Sequence, residues 1–304
     1  GVKPEHICAL TFTNKAAREM AERVTARLTA VVNRNGRDPE KVSVANNRAS
    51  PLSPTTGDAP FIGTFHSFAA RILRTESRKI RRAPNFAIFD DDDSFRLLKK
   101  IVKGLDAKPQ TASPAEGAEK SWRVKSGGAD LGILARSHRA DDVFICEVFE
   151  AYERALERNN AFDFDDLIYK AVLLFRTHPE VLAKFRTRYR HVLVDEYQDI
   201  NAMQCEFINL LAKDFHSREG SLSVVGDDQQ MIYGWRGSDI EIFLGFENTW
   251  PSARAVLLEE NYRSTPEIIG AASAMIAHNR YQKPKSLWTK NPSGGRIRVV
   301  EVAD

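Results

Sequence analysis

Three stretches of the sequence combine acids, amides, aromatic rings and arginine at spacings that suit phosphate chemistry beside an unstacked nucleic acid. In His191-Val192-Leu193-Val194-Asp195-Glu196-Tyr197-Gln198-Asp199 an apolar run delivers two adjacent carboxylates. The first can hold Mg²⁺, directly or through its waters, and the second can orient and deprotonate an attacking water. An exposed strand end would also look like this, and the added Gln198-Asp199 narrows the choice. In Val225-Gly226-Asp227-Asp228-Gln229-Gln230-Met231-Ile232-Tyr233-Gly234-Trp235-Arg236-Gly237 an apolar end is followed by acids and amides, then by aromatic residues and an arginine between glycines. A glutamine here can sense a terminal phosphate, Tyr233 and Trp235 offer π-faces to bases, and Arg236 can meet a phosphate. An aromatic turn packed into a core is the competing reading, which the flanking glycines disfavour. In Leu257-Leu258-Glu259-Glu260-Asn261-Tyr262-Arg263-Ser264-Thr265, Arg263 beside the planar Tyr262 fits an arginine finger next to a stacking platform. Surface arginines are more often simply solvated.

Two further clusters lie nearer the N-terminus. Thr11-Phe12-Thr13-Asn14 and Gly63-Thr64-Phe65-His66-Ser67 each place an aromatic and small hydrogen-bonding residues at a predicted helix start, where free amides accept anions. Arg71, Arg74, Arg78, Lys79, Arg81 and Arg82 follow the second, against the single acid Glu76. Such a stripe can track a nucleic-acid backbone, or it can be a solvated helix face. His66 has no second histidine at a metal-ligand spacing.

The elements that must position these groups are readable. Ile7–Leu10, Val192–Val194, Leu222–Val225 and Ala255–Leu258 are short apolar runs that each end in polar residues. They predict strands buried on both faces of a parallel sheet, with ligands beyond their carboxyl ends. Helices are predicted over Lys15–Leu28, with Ala16, Met20, Val24 and Leu28 on one face, over Thr64–Arg82, and over Pro266–His278. Arg296–Val302 reads as a further strand. Residues 86–161 look mostly helical and carry no strand-end motif. Asn33–Pro60, which contains Pro39, Pro51, Pro54 and Pro60, reads as a mobile surface loop. Lys108–Lys120 is a second soft stretch, and no internal repeat is visible.

Composition bounds the rest. The chain has 304 residues, 42% hydrophobic and 28% charged, which suits about two globular domains. No apolar run approaches the roughly 18 residues of a membrane helix. Lys and Arg (44) nearly balance Asp and Glu (41), so the net charge of +3 argues for no particular partner. Cys8, Cys146 and Cys205 lie far apart, which excludes a disulfide framework or a Cys-rich metal site and suits a reducing compartment. The chain opens on Gly1 with Ile7–Leu10 close behind, and is expected to be an internal piece of a longer protein.

Taken together, the segments LTFTNKAAREM, GTFHSFAARILR, VLVDEYQDIN, VVGDDQQMIYGWRG and LEENYRSTPEII resemble, in order, those of the UvrD/Rep/PcrA-like superfamily 1 DNA helicases. Asp163-Phe164-Asp165-Asp166-Leu167-Ile168 is similar to a segment at which that family re-enters its first motor domain. The resemblance covers almost the whole chain apart from Asn33–Pro60. It implies an α/β fold: a RecA-like P-loop NTPase parallel sheet, with an inserted helical subdomain and the start of a second RecA-like domain. Residues 1–85 and 163–255 would form most of the first motor domain, 86–162 the insert, and 256–304 the start of the second.

By the same resemblance, ATP and Mg²⁺ are the cofactors. Asp195 is the Mg²⁺-associated acid and Glu196 the general base. Gln230 contacts the γ-phosphate and couples it to DNA, Arg263 is the γ-phosphate arginine, and Tyr262 stacks on adenine. Phe12, Thr64, His66, Tyr233, Trp235 and Arg236 fall where the family grips single-stranded DNA. The implied activity is ATP-dependent 3′-to-5′ unwinding in repair or replication restart. The implied partners are single-stranded DNA, single/double-strand junctions and repair or replication proteins, in a bacterial cytoplasm at the nucleoid. A helicase subunit of a recombinational helicase–nuclease complex would share these motifs. A non-catalytic single-stranded-DNA-binding remnant is the rival of another class. The sequence departs from the family in lacking a G-x-x-x-x-G-K-[ST] loop, expected within about 30 residues before Gly1. The C-terminal motifs are missing too, so these residues alone are not expected to hydrolyse ATP efficiently. Gln229 and Met231 stand where the family often has Asp and Ser.

Overall fold

In the computed structural model, which describes residues 2–34, 59–105, 124–127, 140–234 and 237–300, strands and helices alternate along the chain. Strand β1 (Ile7–Thr11) leads to α1 (Asn14–Arg34), β2 (Phe61–Thr64) to α2 (Phe65–Thr75), and β3 (Ala87–Phe89) to α3 (Asp91–Gly104). Helix α4 (Ala140–Arg158) precedes β4 (Ala161–Asp163), α5 (Phe164–Thr177) and α6 (Pro179–Arg188). There follow β5 (His191–Val194), α7 (Ala202–Ala212), β6 (Ser221–Val224), the short α8 (Ile240–Leu244) and α9 (Phe246–Thr249), and α10 (Pro266–Ile276).

The main sheet is parallel throughout, in the order β2-β1-β5-β6. Leu10 lies opposite both Gly63 and Val194, and Val194 opposite Val224, so the four carboxyl ends share one edge. The ladder continues past the strands: the Asp195 N–H donates to the Leu10 carbonyl at 2.9 Å and the Val225 N–H to the Val194 carbonyl at 2.8 Å. One face of the sheet carries the aromatic core. Phe68 meets Phe61, Tyr189 and Phe207, and Phe175 stacks on Phe207 at 5.6 Å. Rings packed edge-on or offset add to the area they bury.

The other face departs from expectation. Helix α1 lays Ala21, with Met20 and Val24 beside it, on Ala9 and Ile62, so it covers β1 and β2 only. Over β5, Leu193 is 43% exposed, and Ser223 on β6 is exposed as well. Burial on both faces therefore holds for the β2–β1 half of the sheet and not for the β5–β6 half. Strand β2 was not among the expected strands, because Pro60 and Gly63 interrupt its apolar pattern. The helix expected over Thr64–Arg82 stops at Thr75 and continues as a 3-10 turn, Ser77–Ile80, closed by a left-handed Arg81.

Two expected strands do not form among the described residues. Val256, Leu257 and Leu258 are exposed in irregular backbone, as are Ile297, Val299 and Val300. A strand exists by its ladder, and among the described residues this region has only the isolated bridge Glu260–Trp288. The loops expected over Asn33–Pro60 and Lys108–Lys120 lie outside the described residues, save at the edges of the first, where α1 runs on through Arg34.

A second apolar cluster (Leu98, Val148, Tyr152, Leu156 and Ala161) joins α3 to α4, and β3 pairs with β4 in parallel. The return to the main sheet is held by charge. The Lys125 side chain, 1% exposed, reaches Asp163 at 2.6 Å and Asp166 and Glu153 at 3.0 Å. Asp163 also caps α5 by accepting from the Asp166 N–H at 2.7 Å. Burial opposes charge on Lys125, but the three carboxylates prevail and hold it protonated. Removing the cation would strand buried carboxylates, which costs about 3–5 kcal/mol. Lys125→Met is expected to lower the urea unfolding midpoint accordingly, and an unchanged midpoint would contradict this anchoring role.

Candidate active site and nucleic-acid interface

Because the strands run parallel, the polar residues that follow them gather at one edge. After β5, Glu196 takes a left-handed conformation with φ 52 and ψ 44. That is uncommon for a residue with a side chain, and such strain concentrates at working sites. The turn drops Tyr197–Asp199 beneath it, where Tyr197 sets its ring edge-on against Phe246 at 5.4 Å. Burial first, and the adjacent Glu196 charge second, push the Asp195 carboxyl above its ordinary range. A hard divalent cation relieves both, so Asp195 fits Mg²⁺. Among the described residues no three His, Cys, Asp or Glu side chains gather to hold a metal.

Gln198 proves to be part of the site. Its buried amide donates to Glu196 Oε2 at 2.8 Å and accepts from the Asp227 N–H at 3.0 Å. Gly226 makes room for it: a Cβ there would stand 2.5 Å from Gln198 Oε1. This glycine was the signal available in the sequence. Beyond it, Asp227 Oδ2 accepts from Gln230 Nε2 at 2.6 Å. A hydrogen-bonded chain thus runs from Glu196 through Gln198 and Asp227 to Gln230. Asp199 closes the cluster. Burial, then the Glu196 charge, raise its carboxyl to about 6, and its carbonyl accepts from Ser238 Oγ at 2.6 Å.

The third cluster forms a turn of its own. Tyr262 is 78% exposed and donates to Glu260 Oε2 at 2.9 Å. Asn261 Oδ1 accepts from the N–H groups of Arg263 at 2.9 Å and Ser264 at 2.8 Å, which fixes the turn. Among the described residues, no hydrogen bond or ion pair joins Tyr262 or Arg263 to Asp195, Glu196 or Gln230. The structure therefore joins two of the three clusters by a direct hydrogen bond.

Aromatic rings line the same edge. Phe12 and Tyr233 are nearly parallel, 8° apart in plane, with centroids separated by 6.5 Å. His66 stacks on Phe164 at 3.8 Å. Phe164, half exposed, was not singled out as a site residue, and its signal was a lone aromatic among the acids 163–166. Thr64 is buried, and its hydroxyl accepts from the Ser67 N–H at 3.2 Å as the α2 cap, which leaves it an O–H to donate. Trp235 and Arg236 lie outside the described residues. The flanking turn is closed by the Gly237 N–H on the Gly234 carbonyl at 3.0 Å, with Gly237 at φ 77.

The basic stripe is drawn in part into the fold, while Arg78 and Arg81 stay exposed as a solvated face would have them. Arg71, Arg74 and Arg82 lie over the rings of Phe61, Phe86 and Phe162, Arg82 also pairs with Glu157 at 3.3 Å, and Lys79 pairs with Glu180. Arginine planes prefer such ring faces when they pack against an apolar core.

Comparison with known proteins gives a consistent match. Residues 1–251 fit the model of the UvrD/REP helicase N-terminal domain. The chain is 38% identical over 299 residues to the ATP-dependent DNA helicase PcrA of Leuconostoc citreum, which covers 97% of this chain and 36% of that protein. It is 37% identical over 303 residues to PcrA of Staphylococcus aureus strain Mu50, covering 99% and 37%. PcrA of Staphylococcus epidermidis strain RP62A is 36% identical over 304 residues. The chain thus spans little more than a third of the length of these relatives.

Burial lowers the His66 imidazole to about 4. A depressed histidine contributes stability that is present above its unfolded value near 6.5 and is lost as pH falls through 4. His66 is therefore neutral at pH 6, a ring with a single N–H donor and not a cation. An NMR titration of the imidazole is expected to show a midpoint near 4. A midpoint near 6.5 would show the ring solvated instead.

Proposed function

The chain belongs to the UvrD/REP helicase family, and from that premise we propose that it carries the ATP-hydrolysing and strand-gripping parts of a 3′-to-5′ DNA helicase acting in repair or replication restart. In this reading Asp195 holds Mg²⁺ and Glu196 deprotonates the attacking water. Gln230 and Arg263 face the γ-phosphate, with Tyr262 stacked on the adenine. Mg²⁺, when bound, neutralises charge on the phosphates, and the protein's own work is to orient water and phosphate around it. Phe12, Tyr233, Trp235, His66 and Thr64, extended by Phe164, receive bases, and Arg236 a phosphate. The rings of Phe12 and Tyr233 are nearly parallel with centroids 6.5 Å apart, and π-faces of this kind are what unstacked bases stack on.

Residues 1–85 and 163–255 act as the first RecA-like motor domain, 86–162 as its helical insert and 256–304 as the start of the second. The substrates are single-stranded DNA and its junctions with duplex, and repair or replication proteins are the partners. The setting is a bacterial cytoplasm at the nucleoid. Support for the setting comes from bacterial relatives, and among the described residues no helix is long and apolar enough to cross a membrane.

The observation that carries this reading is the chain Glu196–Gln198–Asp227–Gln230. It ties the Glu196 carboxylate, the base in this reading, to the loop that leads into Tyr233. In the protein carrying this chain, Glu196→Gln is expected to lower DNA-stimulated ATP turnover about 10²–10⁴-fold and to leave ATP binding intact. Turnover near wild type would contradict the base assignment. A wild-type protein with no DNA-stimulated turnover would contradict the function.

A further inference from the structure

Lys285 has no part in the roles assigned so far, yet its ammonium is among the more enclosed charges near the site. Its side chain is 13% exposed and lies between two acids of the loop after β6, pairing with Asp227 and reaching Asp228 Oδ1 at 3.1 Å. Enclosed pairs of this kind hold geometry better than solvent-exposed ones, which contribute little. The neighbouring residues dock on the same loop. The Lys283 N–H donates to Asp228 Oδ2 at 2.7 Å, and Gln229 Nε2 donates to Gln282 Oε1 at 2.7 Å.

The same segment is stitched at its other end to the turn that displays Tyr262 and Arg263. The Ser286 N–H donates to Glu259 Oε1 at 2.7 Å and the Trp288 N–H to the Glu259 carbonyl at 3.0 Å. In return the Asn261 N–H donates to the Trp288 carbonyl at 2.7 Å. Residues 282–288 therefore connect the turn bearing Arg263 to the loop bearing Gln230.

We propose that Lys285 is a positioning residue: it holds the Asp227 carboxylate, which in turn fixes the Gln230 amide, so that the Arg263 turn and the Gln230 loop are set together. The two oxygens of Asp227 divide the work. Oδ2 accepts from Gln230, while Oδ1 accepts from the Gln229 N–H at 3.0 Å and from Lys285. Without the ammonium, Oδ1 keeps only one backbone donor, and the carboxylate can turn away from Gln230. Burial alone would raise the Asp227 carboxyl, but the bonds from Lys285 and Gln230 outweigh it and hold the group below its ordinary value. Gln230 is exposed, so a single fixed acceptor is what selects one orientation of its amide.

This proposal rests on the reading that Gln230 faces the γ-phosphate, and a double-mutant cycle separates the two. Lys285→Met and Gln230→Ala are made singly and together in the protein carrying this chain, and DNA-stimulated ATPase is measured per folded molecule. Lys285→Met is expected to lower kcat about tenfold with little change in KM for ATP, and to cost nothing further in the Gln230→Ala background. Lys285→Gln runs the same cycle if the Met variant does not fold. Equal losses in both backgrounds, or no loss in either, overturn the positioning role and leave the Gln230 reading standing. Full turnover in Gln230→Ala alone overturns the Gln230 reading, and the Lys285 proposal with it.

Discussion

A buried side-chain amide must find partners for both its ends, and at Gln198 those partners belong to two different strand tips. Its N–H satisfies the Glu196 carboxylate after β5, and its carbonyl satisfies the backbone N–H of Asp227 after β6. Leaving either end of such a group unmet costs about 1–3 kcal/mol, so the two tips are held at one spacing. The bond also explains two local oddities. Glu196 adopts a left-handed backbone, which swings its carboxylate back over the turn, and position 226 has no side chain, which lets the amide approach.

That bridge is possible only because of the sheet beneath it. Parallel pairing of β5 with β6, extended by the Val225 N–H on the Val194 carbonyl, brings residues 195–199 level with 225–227. Aromatic packing on one face, around Phe68, Phe175 and Phe207, fixes the strands relative to α2, α5 and α7. The same register sets Phe12 after β1 and Thr64 at the end of β2 on the edge that carries the acids. The proposed grip on DNA and the proposed phosphate chemistry are in this way two ends of one strand edge.

Much of this arrangement was legible because it is local. The apolar runs at Ile7–Leu10, Val192–Val194 and Leu222–Val225 each form a strand with its polar cluster at the end, and Pro266 opens a helix as its cap suggests. What the sequence hid depends on partners far along the chain. Ala255–Leu258 has strand composition but no described neighbour to pair with. Arg71, Arg74 and Arg82 are drawn onto rings whose positions only the fold supplies. Lys125 and Lys285 are single polar residues with no distinguishing spacing, and Gln198 is marked only by its place after the acidic pair. Their importance lies in carboxylates and amides brought to them from 28 or more positions away or, for Gln198, in one partner nearby and one across the sheet.

The central claim is that the Gln198 amide makes the acidic tip after β5 and the loop after β6 a single unit. The most direct test is the ratio of ATP turnover with and without single-stranded DNA in Gln198→Met, which keeps the side chain's length and removes both hydrogen-bonding ends. The account predicts that the protein folds and that DNA no longer stimulates turnover, so the ratio falls to about one. A folded variant that keeps the wild-type ratio would contradict it.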